Sequence, residues 1–152
     1  MGAVVGVIGV GYEGLAIDEF CAKLLDLGIS VVVDVRLNAL SRKRGFSKNG
    51  IRAALAEVGV EYLHRPALGN PKDNRDGFAV PGSRAGDAAR NLYRGFLATP
   101  RAEEALLEIA TLAHSTRVAL MCFERDQHEC HRELVIECLE SQHDQMLQPV
   151  GT

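Results

Sequence analysis

The sequence predicts a single α/β domain in three layers, with a mainly parallel sheet of about four strands and helices on both faces. Its 152 residues correspond to one domain of ordinary size. Apolar runs of strand length alternate with segments of helical spacing, as in folds built from strand–helix–strand units. The run Val31–Val35 is continuous and β-branched, which is typical of a strand buried on both faces.

The predicted elements follow one another along the whole chain. The predicted strands cover 4–10, 31–35, 60–64 and 118–122, and the predicted helices cover 15–27, 47–58, 88–97, 99–114 and 130–142. Gly28 and Gly59 each follow a helical segment, where glycine is a common C-cap. Thr99 and Pro100 suit the N-cap and the first residue of a helix. The alternation favours a Rossmann-like or flavodoxin-like arrangement.

Residues 65–86 of this single domain show neither the strand pattern nor the helix pattern. They contain three of the five prolines, together with several glycines, so a long irregular loop is predicted there. Long irregular connections in compact domains are usually functional lids or disordered segments. We expect a lid over the carboxyl ends of the strands.

Composition narrows the possible environments and partners. No apolar run approaches ~18 residues, so no membrane partner is expected. The beginning of the sequence has neither a basic region nor a small-residue cleavage site, and the four cysteines do not suggest a disulfide framework. Reduced thiols and a cytoplasmic location are therefore expected. Residues 36–65 contain seven basic and two acidic residues, a local charge of +5 that predicts an anionic partner.

Polar side chains follow each predicted strand, at what we call the carboxyl edge of the sheet. They are Tyr12 and Glu13, Asp34 and Arg36, His64 and Arg65, and Cys122 and Glu124. Ligands of parallel sheets bind at this edge, so a pocket is predicted there. Asp34 and His64 are candidates for proton transfer. The alternative for Asp34 and Arg36 is an ion pair that closes the strand.

The segment from Cys122 to Arg132 concentrates the reactive groups of the chain. Cys122 or Cys130 is the candidate nucleophile or redox thiol, with His131 as a proton carrier and Arg132 as an anion ligand near a helix N-terminus. Zinc binding by both cysteines with His128 or His131 is a weaker alternative, because the spacing matches no standard finger. We predict no metal and no cofactor. Cys21 and Cys138 are expected in the core.

The basic loop 41–47 and the glycine-rich turn 9–14 suggest other ligands. Ser41, Arg42 and Phe46 are candidates for binding a phosphorylated or nucleotide-like ligand, with nucleic acid possible through 42–44; in the alternative, Phe46 lies in the core. Gly9–Gly14 matches a dinucleotide fingerprint, which suggests an NAD(P)- or CoA-type cofactor. Glu13 inside that turn would repel phosphates, so this alternative ranks lower.

Several blocks of residues resemble the bacterial and archaeal domain-of-unknown-function family 488. The blocks are Gly11–Gly14, Asp34–Arg36, Ser41–Arg42, Phe46–Ser47, Gly59–His64, Leu68–Gly69, Cys122–Glu124 and Cys130–Arg132. Two positions depart from the pattern: Ala39 replaces a usual proline and Asn70 a usual glycine. The resemblance assigns Gly11 and Gly14 to the family's own turn and makes Gly9 incidental. It implies no settled activity.

The sequence thus predicts an enzyme that acts on a phosphorylated or nucleotide-like anion at the carboxyl edge. The candidate catalytic residues are Asp34, His64, Cys122, Cys130 and His131, and the candidate substrate-binding residues are Tyr12, Glu13, Arg36, Ser41, Arg42, Phe46, Tyr62, Glu124 and Arg132. A non-catalytic nucleotide- or nucleic-acid-binding module is the first alternative. In a purely structural alternative, Arg36, Glu124 and Arg132 form a buried ion-pair network.

Overall fold

A computed structural model of the protein describes residues 6–142 and contains one four-stranded sheet. The strands are β1 (Gly6–Gly11), β2 (Val31–Asp34), β3 (Glu61–His64) and β4 (Arg117–Cys122). All neighbouring strands are parallel, in the order β1-β4-β2-β3. The predicted parallel sheet is therefore confirmed. Val4 and Val5, which were included in the first predicted strand, lie outside the described residues.

Six α-helices within residues 6–142 surround this sheet. They are α1 (Ile17–Asp26), α2 (Lys48–Glu57), α3 (Lys72–Phe78), α4 (Arg84–Leu97), α5 (Pro100–Ala113) and α6 (Arg132–Gln142). Short 3₁₀ turns cover Pro66–Leu68 and Gln127–Glu129. The Thr99 side chain caps α5 by accepting from the Ala102 N–H, as the sequence predicts. Among residues 6–142, no helix is long and apolar enough to cross a membrane.

The path of the chain explains the three layers. From β1 through β2 to β3 the chain advances across the sheet, with α1 and α2 packed on one face. It then returns to β4, between β1 and β2, and α3 to α6 cover the other face. Right-handed crossovers place helices on opposite faces when the direction of travel reverses. This order puts β1 at an edge of the sheet, whereas the common doubly wound orders place the first strand inside.

The pleat of the strands separates the polar residues at the carboxyl edge into two groups. Successive side chains of a strand point to opposite faces. Val33, Leu120 and Cys122 belong to the core beneath α3 to α6, and Met121 belongs to the core beneath α1 and α2. Asp34 alternates with Val33 and therefore lies on the α1–α2 face, opposite to Cys122.

The predicted irregular loop at 65–86 is wrong, because this stretch contains a 3₁₀ turn, all of α3 and the beginning of α4. Phe78 is buried against Tyr93 of α4, with ring centroids 5.9 Å apart. The buried Asn74 amide donates to the Asn70 side chain and to the Ala89 carbonyl, which ties α3 to α4. The prolines and glycines of this stretch mark the ends of short elements.

Candidate functional site

A cavity of about 200 Å³ opens at the carboxyl edge, where β1, β4 and β2 lie side by side. Five predicted site residues line it, namely Tyr12, Arg36, Cys122, Glu124 and His131. Its other lining residues are Leu37, Asn38, Leu40, Asn70, Lys72, Arg75 and Phe123. The cavity lies at the point where the direction of strand connection reverses, which is the usual ligand position in an open α/β sheet.

Cys122 and Cys130 form a disulfide at one wall of this cavity. The expectation that all four cysteines are reduced thiols is therefore wrong for this pair. Cys122 ends β4, Cys130 lies two residues before the first residue of α6, and the loop between them folds back over the sheet. Sequence spacing does not reveal such a return. Cys21 and Cys138 are free, and burial raises the pKa of each thiol.

Arg132, the first residue of α6, is 1% exposed and lies directly against Cys122. Its Nη1 donates to Cys122 Sγ at 2.7 Å and its Nη2 donates to the Arg125 carbonyl at 3.2 Å, while Nε–H has no hydrogen-bond partner among the described residues. No carboxylate within residues 6–142 forms an ion pair with this guanidinium. Burial lowers the pKa of Arg132, although Glu124 and Asp126 partly oppose this shift.

The ion-pair network proposed for Arg36, Glu124 and Arg132 does not form. Arg36 pairs with Asp34, and Glu124 pairs with Arg75. Arg132 is thus a buried cation that pairs with no carboxylate in the described part of the chain. Such a charge costs several kcal/mol in a folded protein unless another group compensates it.

The glycines of β1 make room for Arg132 and for the loop that follows β4. A Cβ atom on Gly9 would collide with the Gln127 side chain and would approach Arg132 Nε to 2.7 Å. A Cβ atom on Gly11 would overlap the backbone of Glu124. The prediction that Gly9 is incidental is therefore wrong. This packing accounts for both glycines without a nucleotide.

His131 is buried and has a defined tautomer. Its Nε2 lies 2.8 Å from the Val35 carbonyl, which only accepts hydrogen bonds, so Nε2 carries the proton. Its Nδ1 then presents a lone pair toward Cys130 Sγ, 3.7 Å away. Burial lowers the pKa of His131 to about 4, against the opposing effect of the Val35 hydrogen bond. The imidazole is consequently neutral at pH 7.

Asp34 is fully buried in a second polar group on the other face of the sheet. The Arg36 Nε and Nη2 atoms donate to its carboxylate at 2.6–3.1 Å, and the Tyr62 hydroxyl donates at 2.5 Å. Burial, followed by the hydrogen bond to Asp34, raises the pKa of Tyr62. Asp34 and Arg36 therefore form the ion pair that was the structural alternative for these two residues. The oxygens of Asp34 are engaged by Arg36 and Tyr62 and face away from Cys122, and its catalytic role stays a prediction.

The other predicted proton carrier and the aromatic ligands also have structural partners. His64 Nε2 lies 2.8 Å from the Arg36 carbonyl, and neither His64 nor Tyr62 lines the cavity. Phe46 is fully buried and stacks on Tyr12, with centroids 4.3 Å apart. The predicted stacking of Phe46 on a ligand is therefore replaced by core packing.

The remaining predicted ligands lie in loops beside the cavity. The Ser41 N–H donates to Ser47 Oγ, whose hydroxyl donates back to the Ser41 carbonyl, so these residues brace the basic loop. Arg42 is exposed and does not line the cavity. Glu13 accepts a hydrogen bond from the Arg125 N–H and thereby joins the β1 turn to the loop after β4.

Sequence reasoning missed the cations that α3 contributes to the cavity. Lys72 and Arg75 lie one helical turn apart and both line it. Arg75 Nη2 bonds Glu124 Oε1 at 2.8 Å, and Glu124 Oε2 lies 3.5 Å from Cys122 Sγ. Their three-residue spacing is the only signal in the sequence. It is hidden because the stretch has the composition of a loop.

A comparison with protein families gives one match. The family model described as a domain of unknown function, DUF488, matches residues 16–139, which include Asp34, Arg36, Cys122 and Arg132 but not Tyr12. No curated protein and no solved structure matches the chain significantly.

Proposed function

Because the chain belongs to the DUF488 family, a name that states no activity, we propose a function from the geometry of the site. The protein is a dithiol–disulfide oxidoreductase that acts on a small anionic substrate. The observation that carries this proposal is the buried guanidinium of Arg132, 2.7 Å from Cys122 Sγ and without a carboxylate partner in the described chain.

Arg132 makes Cys122 the candidate nucleophile. When the disulfide opens, a Cys122 thiolate supplies the negative charge that the buried guanidinium lacks. The hydrogen bond from Nη1 favours the same ionised form. Cys122 lines the cavity, whereas Cys130 does not, so a substrate reaches Cys122 first.

Cys130 is the resolving thiol. The Cys122 thiolate attacks one sulfur of a substrate disulfide, that S–S bond breaks, and one substrate thiolate departs. Cys130 then attacks Cys122 Sγ, the mixed disulfide breaks, and the second substrate thiolate departs. The Cys130 proton passes to a departing thiolate, so the substrate gains two electrons and the protein keeps the Cys122–Cys130 disulfide. Neutral His131 orients the Cys130 thiol through Nδ1.

The lining of the cavity supports an anionic substrate. Lys72 is exposed and forms no ion pair among the described residues, and Arg75 is held only by an exposed pair with Glu124. The volume of about 200 Å³ is below the roughly 300–1,000 Å³ typical of drug-sized ligands. The cavity therefore suits a small anion, or the phosphorylated or carboxylate end of a larger, nucleotide-like molecule. A reducing cytoplasm would regenerate the dithiol.

The test uses an anionic aromatic disulfide, 5,5′-dithiobis(2-nitrobenzoate), on the reduced protein. The wild type is expected to release two thionitrobenzoate ions from the Cys122–Cys130 pair. Cys130→Ser should release one and retain the other on Cys122, where peptide mass mapping locates it. Cys138→Ser is the matched control and should behave like the wild type. Retention of the probe on Cys138, with Cys122 unmodified, would refute the proposal.

A second comparison tests the anion. Lys72→Gln should slow the reaction with this probe about threefold, as expected for the loss of one partly screened charge. It should not change the rate with neutral bis(2-hydroxyethyl) disulfide. Lys23→Gln, an exposed lysine on α1, is the control for both probes. Equal effects of Lys72→Gln on the reaction rates of the two probes would contradict the proposal that the substrate is anionic.

Nucleic-acid binding is the second candidate, and it is favoured by the exposure of Arg42 and Arg44 in the basic loop. Phe46 takes no part in it, because the ring is buried. Binding of single-stranded RNA should then fall steeply with salt and be lost when Arg42 and Arg44 are both changed to Ala. Binding that survives both substitutions would exclude this loop.

A further inference from the structure

Three soft donor atoms converge at the inner wall of the cavity. Cys122 Sγ, Cys130 Sγ and His131 Nδ1 lie within 4.8 Å of one another, and all three residues are buried. The Cys130 Sγ to His131 Nδ1 distance is 3.7 Å. Tetrahedral zinc with Zn–S of about 2.3 Å and Zn–N of about 2.0 Å places such atoms about 3.6 Å apart. This pair of ligand atoms is therefore already at metal-binding separation.

The imidazole is held in the orientation that a metal ligand requires. Its Nε2–H donates to the Val35 carbonyl at 2.8 Å, which leaves Nδ1 unprotonated on the side of the two sulfurs. Metal-bound histidines usually donate their other ring N–H to a carbonyl or carboxylate in this way. His128, the other histidine of this segment, is exposed and bonds Glu133 instead, so it is not a ligand.

The backbone also suits two separate thiolates. The Cα atoms of Cys122 and Cys130 are 7.7 Å apart. Two thiolates on one zinc ion are about 3.8 Å apart, so the reduced pair opens to this separation without moving the backbone closer.

The charges and the opening of the site are consistent with a three-ligand centre. Two thiolates and a neutral imidazole balance one Zn²⁺, and Arg132 donates a hydrogen bond to Cys122 Sγ, which stabilises a coordinated thiolate. The Arg132 charge that remains is partly offset by Glu124, whose Oε2 lies 3.5 Å from Cys122 Sγ. Cys122 and His131 line the cavity, so a fourth coordination position faces it. Centres with three protein ligands and an open position are typical of catalytic zinc.

We infer that the reduced protein binds one Zn²⁺ through Cys122, Cys130 and His131, with the fourth position open to the cavity. The disulfide and the metal exclude each other, because both use the same two sulfurs. The inference extends beyond dithiol exchange and does not rest on it.

The test is an anaerobic titration of the reduced, metal-free protein with Co²⁺, followed by displacement with Zn²⁺. One Co²⁺ per chain should bind with thiolate-to-cobalt charge-transfer bands and the intense visible bands of four-coordinate cobalt. Cys130→Ser and His131→Gln should each weaken Zn²⁺ binding by at least about 100-fold, whereas Cys138→Ser and His128→Gln should not. The oxidised wild type should not bind.

Several outcomes would overturn the inference: no binding by the reduced wild type, unchanged binding in Cys130→Ser, or weakened binding in His128→Gln. Circular dichroism of each variant verifies folding, and Cys122→Ser replaces any variant that does not fold. Exchange with the anionic disulfide is measured separately in the presence of a chelator. If the protein binds Zn²⁺ but does not exchange with the disulfide, the zinc site stands and the proposed oxidoreductase activity is refuted. If it exchanges but does not bind Zn²⁺, the activity stands and the zinc site is refuted.

Discussion

Acidification should destabilise this protein through His131. The pKa of this imidazole falls from 6.5 to about 4 on burial, so the folded state resists protonation that the unfolded state accepts. The stability contributed by the neutral ring is fully present above pH 6.5 and is lost as the pH falls toward 4. This difference of about 2.5 between the pKa values of the unfolded and folded states corresponds to about 3 kcal/mol of unfolding free energy, because one pKa unit is worth about 1.36 kcal/mol.

The measurement is urea unfolding followed by circular dichroism at several pH values between 7 and 4, with the disulfide intact. His131→Gln retains a donor for the Val35 carbonyl and cannot be protonated. This variant should lose about 3 kcal/mol less than the wild type across the interval. His114→Gln, at the exposed end of α5, is the matched control and should show the wild-type pH dependence. Identical pH dependence in the wild type and His131→Gln would refute the tautomer and burial assigned to His131.

Two further substitutions test the packing around the site. Gly9→Ala should destabilise the protein by about 1–3 kcal/mol, because the new methyl group displaces the buried Arg132 side chain. Gly95 lies on the exposed face of α4, where a Cβ atom would meet no described atom within 4 Å, so Gly95→Ala should stabilise the protein by up to about 1 kcal/mol. Equal effects of the two substitutions in urea unfolding would contradict the Gly9 assignment. Arg36→Met should cost about 3–5 kcal/mol, because it leaves the Asp34 carboxylate buried without its cation. Arg132→Met leaves no carboxylate of residues 6–142 without its cation and should cost clearly less in the oxidised protein. A larger loss than that of Arg36→Met would contradict the description of Arg132 as an uncompensated charge.

Much of the fold is predictable from the sequence, because burial imposes patterns that a parallel sheet repeats. The valine run of β2, Gly28 and Gly59 after helices, and Thr99-Pro100 before α5 all lie where predicted. The helix α3 could not be predicted, because its seven residues include glycine and few apolar side chains. Its stability comes from the contacts of Asn74 and Phe78 with α4, and these depend on tertiary structure.

The site was predicted in part, for a physical reason. The rule that ligands bind at the carboxyl edge grouped Tyr12, Arg36, Cys122 and Glu124, and these residues line one cavity together with His131. It does not specify which face of the sheet each side chain occupies. The pleat sends Asp34 to the α1–α2 face, where Arg36 and Tyr62 engage it.

The cysteine pair and the role of Gly9 illustrate a different limit. Cys122 and Cys130 meet because the loop between them folds back, and Gly9 is required because a side chain 123 residues later lies against it. No local sequence pattern predicts these contacts. They depend on the position of β4 between β1 and β2, which the sequence does not reveal.

The central claim is that Arg132 makes Cys122 the reactive thiol of the reduced protein. The most direct test is the alkylation rate of each cysteine by iodoacetamide at pH 7, in metal-free reduced protein, measured by peptide mass spectrometry. Cys122 should react at least about tenfold faster than Cys138, and Arg132→Gln should remove this advantage while Arg132→Lys retains most of it. A Cys122 rate equal to that of Cys138, or unchanged in Arg132→Gln, would contradict the claim.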